Sequence, residues 1–340
     1  MKHLQKFGYW LIIGGAALYS MGLVVLTLLW TFAPQIHWSI TFSDVFAALF
    51  FVPILVLIPA ALILRTRLML AMTLTPIVLF ALLFGGRFIP RAAVLPTTGQ
   101  TLRVVTYNQL FVDTNADAII ATIRAQNADL VAIQELAKPV SEQIQRDLKT
   151  LYPYQILDPS NSQGGLGILS RYPLDDAGML EGTGAQRAIM HVNGKDIVVV
   201  NVHLHFSGIS RVRSQAFGSL GYFRMYDTKG RLVQAEALLA ESRKATGGFI
   251  LLGDHNTGDR EPGYQLLASE LHDAFGEKGW GFGFTFPNNK RMGPITIPIP
   301  LVRIDYVWSK NGITPLSAHV ECQDAGSDHC LLVADLHIES

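Results

Sequence analysis

Three long stretches without a charged residue occupy most of the first quarter of this 340-residue chain: Trp10 to Trp30, Phe46 to Leu64 and Leu68 to Phe84. About 20 helical residues, rising 1.5 Å each, cross a hydrocarbon layer about 30 Å thick. No water reaches backbone groups there, so such a run must be a helix that satisfies its own hydrogen bonds. The three runs therefore predict three transmembrane helices, with a Trp at each end of the first in the interfacial belts. A cleaved signal peptide has a shorter apolar region, so the first run is expected to be retained. Pro53, Pro59 and Pro76 would damage soluble helices, but neighbouring membrane helices can compensate. The competing reading is a buried helical bundle in a soluble protein.

Charge placement sets an expected orientation. Lys2 and Lys6 precede the first run, Arg65 and Arg67 lie between the second and third, and residues 31–44 carry no Lys or Arg. Positive-inside counting puts the amino terminus in the cytoplasm and, after three spans, everything beyond Gly85 outside it. Arg87 and Arg91 run against that count. The expected organisation is a membrane anchor over residues 1–90, a linker over 91–100 with Pro96 and Thr97-Thr98-Gly99, and a second domain over 101–340. Six of the 27 Lys and Arg, and one of the 27 Asp and Glu, precede residue 97, so the remainder is five charges acidic. That balance disfavours indiscriminate nucleic-acid binding. Cys322 and Cys330 are too few for a disulfide framework and lack metal-site spacing, though they could pair outside the cytoplasm.

In the second domain the organising stretch is Phe249 to Asn256. Four apolar residues read as a strand buried on both faces, followed at once by Gly253, Asp254, His255 and Asn256. Val104 to Asn108, Leu130 to Glu135 and Val198 to His203 end in the same way, on Asn, Glu and His. One such ending is an ordinary strand-to-loop transition. Four together point to chemistry gathered at the carboxyl ends of strands. Helices are expected over 116–126, 140–151 and 231–244, and further strands over 165–170, 187–192, 304–308, 317–321 and 330–338. Many strands without regular alternation suggest an α/β (α+β) domain, a two-sheet β-sandwich flanked by helices.

The motifs in chain order are Thr106-Tyr107-Asn108, Gln134-Glu135, Gly167 to Pro173, Asn201-Val202-His203-Leu204, Gly253-Asp254-His255-Asn256, Arg303-Ile304-Asp305-Tyr306 and Ser327-Asp328-His329. Together they resemble the endonuclease/exonuclease/phosphatase superfamily, with its DNase I-like fold, over Leu102 to Leu336. One departure is His255, where the family usually has Phe; that side chain is expected to face away from the metal. The resemblance implies phosphoester hydrolysis with Mg²⁺ or Mn²⁺. Glu135 would be the main metal ligand, Asn108 its neighbour and Asp328 an assistant. Asp254 and Asn256 would orient or deprotonate the attacking water. His329, held by Asp305, would contact the phosphoryl group or act as a base, with His203 on the phosphate from the other side. Hard oxygen ligands suit those ions, which keep several waters.

Arg187 and Asn201 are expected at the substrate, whereas Gln186 and His205 read as structural. Arg231 and Gln234 share a helix face, in a supporting or a catalytic role. Residues 206–230 interleave Arg211, Arg213, Arg224 and Lys229 with Phe217, Tyr222, Phe223 and Tyr226. Such a segment can stack on nucleic acid, sit in an anionic membrane interface or form a solvated loop. Residues 295–302 are apolar and proline-rich, suited to a bilayer or a cleft. The substrate is expected to be a phosphodiester, in nucleic acid or a phospholipid, with the lipid bilayer as the other partner. The reading from another class is a non-catalytic membrane receptor that kept the fold.

Overall fold

The computed structural model describes residues 2–91, 98–113, 115–205, 209–212, 222–292, 295–322 and 326–339. Most of the expected linker, and the centre of the basic and aromatic segment with Arg213 and Phe217, lie outside them. Two compact units emerge: residues 1–89 with 210–226, and residues 90–209 with 227–340. Of that segment, the described residues 210–212 and 222–226 thus group with the amino-terminal helices.

In the first unit α1 (Lys2–Phe32), α2 (Trp38–Val45), α3 (Ile54–Leu64) and α4 (Arg67–Phe84) are helices. Three stretches are long and apolar enough to cross a membrane: Phe7–Phe32, Ala47–Leu64 and Arg67–Phe88. The second is not one continuous α-helix. A 3-10 turn over Ala47–Phe51 precedes α3, and Pro53, which has no N–H to donate, stands at the break. Ile13 and Ala16 pack against Leu57 and Met69. Polar groups are satisfied between helices, as where Ser20 Oγ donates to the Met72 carbonyl at 2.7 Å and Trp30 Nε1 to Ser43 Oγ at 2.9 Å. Leu18, Leu55, Leu62, Ile63 and Leu82 point outward, largely exposed aliphatic groups of the kind that water-facing helices avoid.

The second unit is a four-layered sandwich. Its strands and helices run β1 (Gln100–Asn108), α5 (Ala116–Ala125), β2 (Leu130–Gln134), α6 (Lys138–Asp147), β3 (Tyr154–Asp158), β4 (Leu166–Ser170), β5 (Leu174–Leu180), β6 (Ala185–Val192) and β7 (Lys195–His203). The short strands β8 (Ile209–Val212) and β9 (Tyr222–Tyr226), which fall in the first unit from residue 210 onward, precede α7 (Lys229–Lys244), β10 (Gly248–Asp254), α8 (Pro262–Ala268), β11 (His272–Asp273) and α9 (Ala274–Lys278). The chain closes with β12 (Lys290–Met292), β13 (Ile295–Ile297), β14 (Asp305–Lys310), β15 (Ile313–Glu321) and β16 (Leu331–Ile338).

One sheet has the order β15-β16-β1-β2-β4-β3, the other β11-β14-β10-β7-β6-β5. Each holds a single parallel pair at its centre, β1 with β2 and β7 with β10, and its other neighbours are antiparallel. The helix between the members of each pair, α5 or α7, covers the outer face. Because side chains alternate across a strand, each central strand feeds two cores. Val104, Ala132, Val199, Ile250 and Val307 meet between the sheets. Val105 and Ile133 pack against Ile119 of α5 and Val140 of α6, while Val200 and Leu251 pack against Leu238 of α7. Each such fully buried Val, Leu or Ile side chain contributes about 1.5–3 kcal/mol. Because both faces are buried, these strands read as unbroken apolar runs.

Candidate active site

Four parallel strand ends lie at one end of the sandwich, where β14 and β16 also begin. Asn108 closes β1, Glu135 follows β2, His203 closes β7 and Asp254 closes β10. Asp254 lies opposite His203 on one side and Asp305 on the other. Gly253 permits this approach: at φ +145° a Cβ would stand 2.0 Å from the Val202 carbonyl oxygen. Glu135 and Asn256 hold left-handed backbone, at φ +55° and +47°, which bends the chain back at the site.

The carboxylates are braced by neutral donors. Asn108 Nδ2 donates to Asp254 Oδ2 at 3.0 Å and to Glu135 Oε1 at 3.4 Å. Phe111 N–H donates to Glu135 Oε2 at 3.1 Å, and Asn256 N–H to Asp254 Oδ1 at 2.8 Å. His329 Nδ1 lies 3.0 Å from Asp305 Oδ2, and a carboxylate only accepts, so Nδ1 carries the proton and Nε2 turns to the site. That Nε2 stands 3.7 Å from Asp254 Oδ2. His203 is oriented similarly: Nδ1 donates to the Gln163 carbonyl at 2.8 Å. Its Nε2 stands 3.7 Å from Glu135 Oε1 and 3.6 Å from Asp254 Oδ2. Burial opposes charge on His329, but Asp305 and Asp254 outweigh it and hold the imidazole up at about 9. Burial also pushes Asp254 above the usual carboxylate range, Asp305 adds to this, and His329 pulls the other way.

The ligand set suits a hard divalent cation. Glu135 Oε1 and Asp254 Oδ2 stand together before His203 Nε2, at 3.7 and 3.6 Å, and are hard oxygen donors of the kind such an ion takes. Asp254, Asp305 and His329 also offer three ligand atoms within 4.8 Å of one another. In that trio the His329–Asp305 hydrogen bond already uses one oxygen, while Asp305 Oδ1 has no partner among the described residues.

Several expected residues lie elsewhere or serve differently. Arg187 is on the helix-facing side of β6, paired with Glu241 of α7 at 3.0 Å and Asp176 at 2.6 Å, so it does not face the site. Asn201 is fully buried between the sheets. It donates to the Ile133 and Gly167 carbonyls, both at 3.0 Å, and accepts from Gln134 Nε2 at 2.7 Å. That position joins the two sheets and leaves no group for substrate. Asn108 turns its N–H₂ to Glu135, while its carbonyl oxygen accepts from Leu110 N at 3.1 Å. Asn256 Nδ2 is spent on the Leu204 carbonyl at 2.8 Å. Asp328 is paired with Lys290, which no sequence motif singled out. Arg231 is buried and paired with Glu261 at 2.8 Å, and Arg303 is buried against Asp273 at 2.7 Å and reaches Asp259 at 3.5 Å, so both brace the loop that follows Asn256. Cys322 and Cys330 are disulfide-bonded, which ties β15 to the residue after His329.

His255 faces away from this cluster, edge-on to Tyr306 at 5.2 Å between centroids. Its Nδ1 donates to the Gly253 carbonyl at 3.0 Å, and its buried Nε2 has no partner among the described residues. Burial pushes its pKa down to about 4 from 6.5. The unfolded chain therefore takes up this proton first, and stability present above pH 6.5 is lost as pH falls toward 4. His255→Phe should remove an unsatisfied group worth about 1–3 kcal/mol and flatten that acid limb. Thermal melts at pH 7.5 and 5 check this; an unchanged slope between the two would show that His255 does not carry it.

Residues 105–329 match the sequence model of the Endonuclease/Exonuclease/phosphatase family. The chain belongs to that family. The fold agrees with that of several solved structures. The D. rerio TDP2 structure complexed with single-strand DNA product superposes with a TM-score of 0.55 at 15% identity, covering 70% of this chain and 99% of that one. A functionally unknown conserved protein from Enterococcus faecalis V583 gives 0.52 at 19%, covering 70% and 100%. An endonuclease/exonuclease/phosphatase from Bacteroides vulgatus gives 0.52 at 18%, covering 71% and 100%. These likenesses establish the DNase I-like fold. No curated protein matches the sequence.

Proposed function

We propose that this family member is a membrane-anchored, divalent-metal-dependent phosphodiesterase whose catalytic domain lies outside the cytoplasm. One observation carries the chemistry: Asp254 stands between two imidazoles and is braced by Asn108, beside the carboxylate of Glu135. A receptor that had kept only the fold would have no need of this set. Glu135 would hold Mg²⁺ or Mn²⁺, with the second lone pair of the Asn108 carbonyl within the same group. Such an ion supplies charge neutralisation for the phosphoryl oxygens.

Asp254, its basicity raised by burial, accepts a proton from the attacking water as the new P–O bond forms. The ester P–O bond breaks, and the leaving oxygen departs with the electron pair and is protonated from solvent. His329, charged and held by Asp305, donates from Nε2 to the phosphoryl oxygen that gains charge. His203 faces the phosphate from the other side.

Three apolar helices of spanning length and aliphatic outer faces support the anchor. The positive-inside count and the Cys322–Cys330 disulfide, a bond that persists in oxidising compartments, support the orientation. The test has two parts. Detergent-purified protein with Mg²⁺ is offered DNA, RNA, phospholipids, sphingomyelin and inositol phosphates, and a diester in the panel is expected to be cleaved. A reporter active only outside the cytoplasm, fused after Ser340, is expected to be active. Signal from a cytoplasm-only reporter there would overturn the orientation.

A further inference from the structure

We infer that Lys290 is a substrate-contacting residue of this site, holding a nonbridging oxygen of the phosphodiester. Its ammonium pairs with Asp328, the residue before His329. It also lies over the Phe286 ring, 4.5 Å from the centroid, and that ring packs against the His329 imidazole at 4.8 Å. The segment that carries it is pinned to the site strands: Asn288 N–H donates to the Asp328 carbonyl at 2.7 Å, and Cys330 N–H to the Thr285 carbonyl at 2.8 Å.

Electrostatics favour such a cation in addition to the proposed metal ion. Glu135, Asp254, Asp305 and Asp328 gather four carboxylates where an anionic diester must enter. Opposing them, His329 is already hydrogen-bonded to one carboxylate, and His203 stands beside two others. Asp328 Oδ1 lies 3.9 Å from His329 Nε2, so an ammonium on that carboxylate stands at the mouth of the phosphoryl position. The flexible four-carbon stem of lysine lets the charge pass from Asp328 to an arriving phosphate without moving the backbone. The same pairing makes Asp328 Oδ2 the anchor of Lys290.

This rests on the phosphodiesterase reading, and the test separates the two. With bis(p-nitrophenyl) phosphate and Mg²⁺, Lys290→Met should raise KM about tenfold or more, with kcat changed less than about threefold. The competitive inhibition constant of inorganic phosphate should rise by a similar factor. Lys290→Arg should restore most of both, since it returns a cation to the same place. Melting temperatures confirm folding; Lys290 is partly exposed, and methionine keeps the apolar contact with Phe286. A lower kcat with KM and phosphate inhibition unchanged would show that Lys290 acts only through Asp328, and would overturn the inference. No change in any constant would overturn it as well. Wild-type protein that cleaves no phosphodiester would instead overturn the function reading itself.

Discussion

His329→Ala should lower kcat by about a hundredfold or more, close to 3 kcal/mol, while KM changes far less. The imidazole is buried, aimed by Asp305 and charged at neutral pH, so what it offers is used mainly as charge builds on the phosphoryl oxygens. Asp305→Asn keeps the shape of the pair but removes the charge that favours imidazolium, and should cost nearly as much alone. The double variant should be little worse than the worse single one, because the two act as a unit. A thermal melt must accompany each rate, since a lost buried partner can lower stability and mimic a catalytic defect. Effects that multiply independently in well-folded protein would show that the 3.0 Å contact is not the functional one.

Glu135→Gln should behave differently. The amide can still accept from Phe111 N–H, so the loop keeps its shape, but a formal charge that would hold Mg²⁺ is gone. Catalytic efficiency should fall about a hundredfold at low metal and recover in part as Mg²⁺ is raised, whereas His329→Ala should not respond. The stabilisation that Mg²⁺ gives the folded protein, read as a shift in Tm, should shrink in parallel. A variant that loses activity yet keeps the full metal-induced shift would remove Glu135 from the metal site.

What could be read from the sequence follows from burial. Strands covered on both faces, such as β7 and β10, are continuous apolar runs whose polar ends stand out, so Glu135, His203 and Asp254 were visible before any coordinates. Edge strands were not. β3 is only half-buried and β5 mostly exposed, and neither carries a clear apolar alternation, so nothing separated them from loops. Arg187 shows a second limit: β6 has apolar residues on both faces, and its pattern does not say which one meets the site. The full burial of Asn201 is a cross-sheet fact, set by carbonyls of Ile133 and Gly167 that are remote in sequence. Lys290 stands 38 residues from its partner Asp328, in a stretch with no motif, and only the tertiary fold brings them together. The three apolar helices were legible from length alone, but the break at Pro53 lies in local backbone geometry.

The central claim is metal-dependent phosphodiester hydrolysis by Asp254 and its neighbours. Its most direct test is one titration on detergent-purified protein with bis(p-nitrophenyl) phosphate: activity after metal stripping in EDTA, then as Mg²⁺ or Mn²⁺ is restored. The wild type should be inactive in EDTA and regain turnover with metal, while Asp254→Asn, folded by its melt, should stay inactive throughout. Full wild-type activity in EDTA after metal stripping, or an Asp254→Asn protein as active as the wild type, would contradict the account.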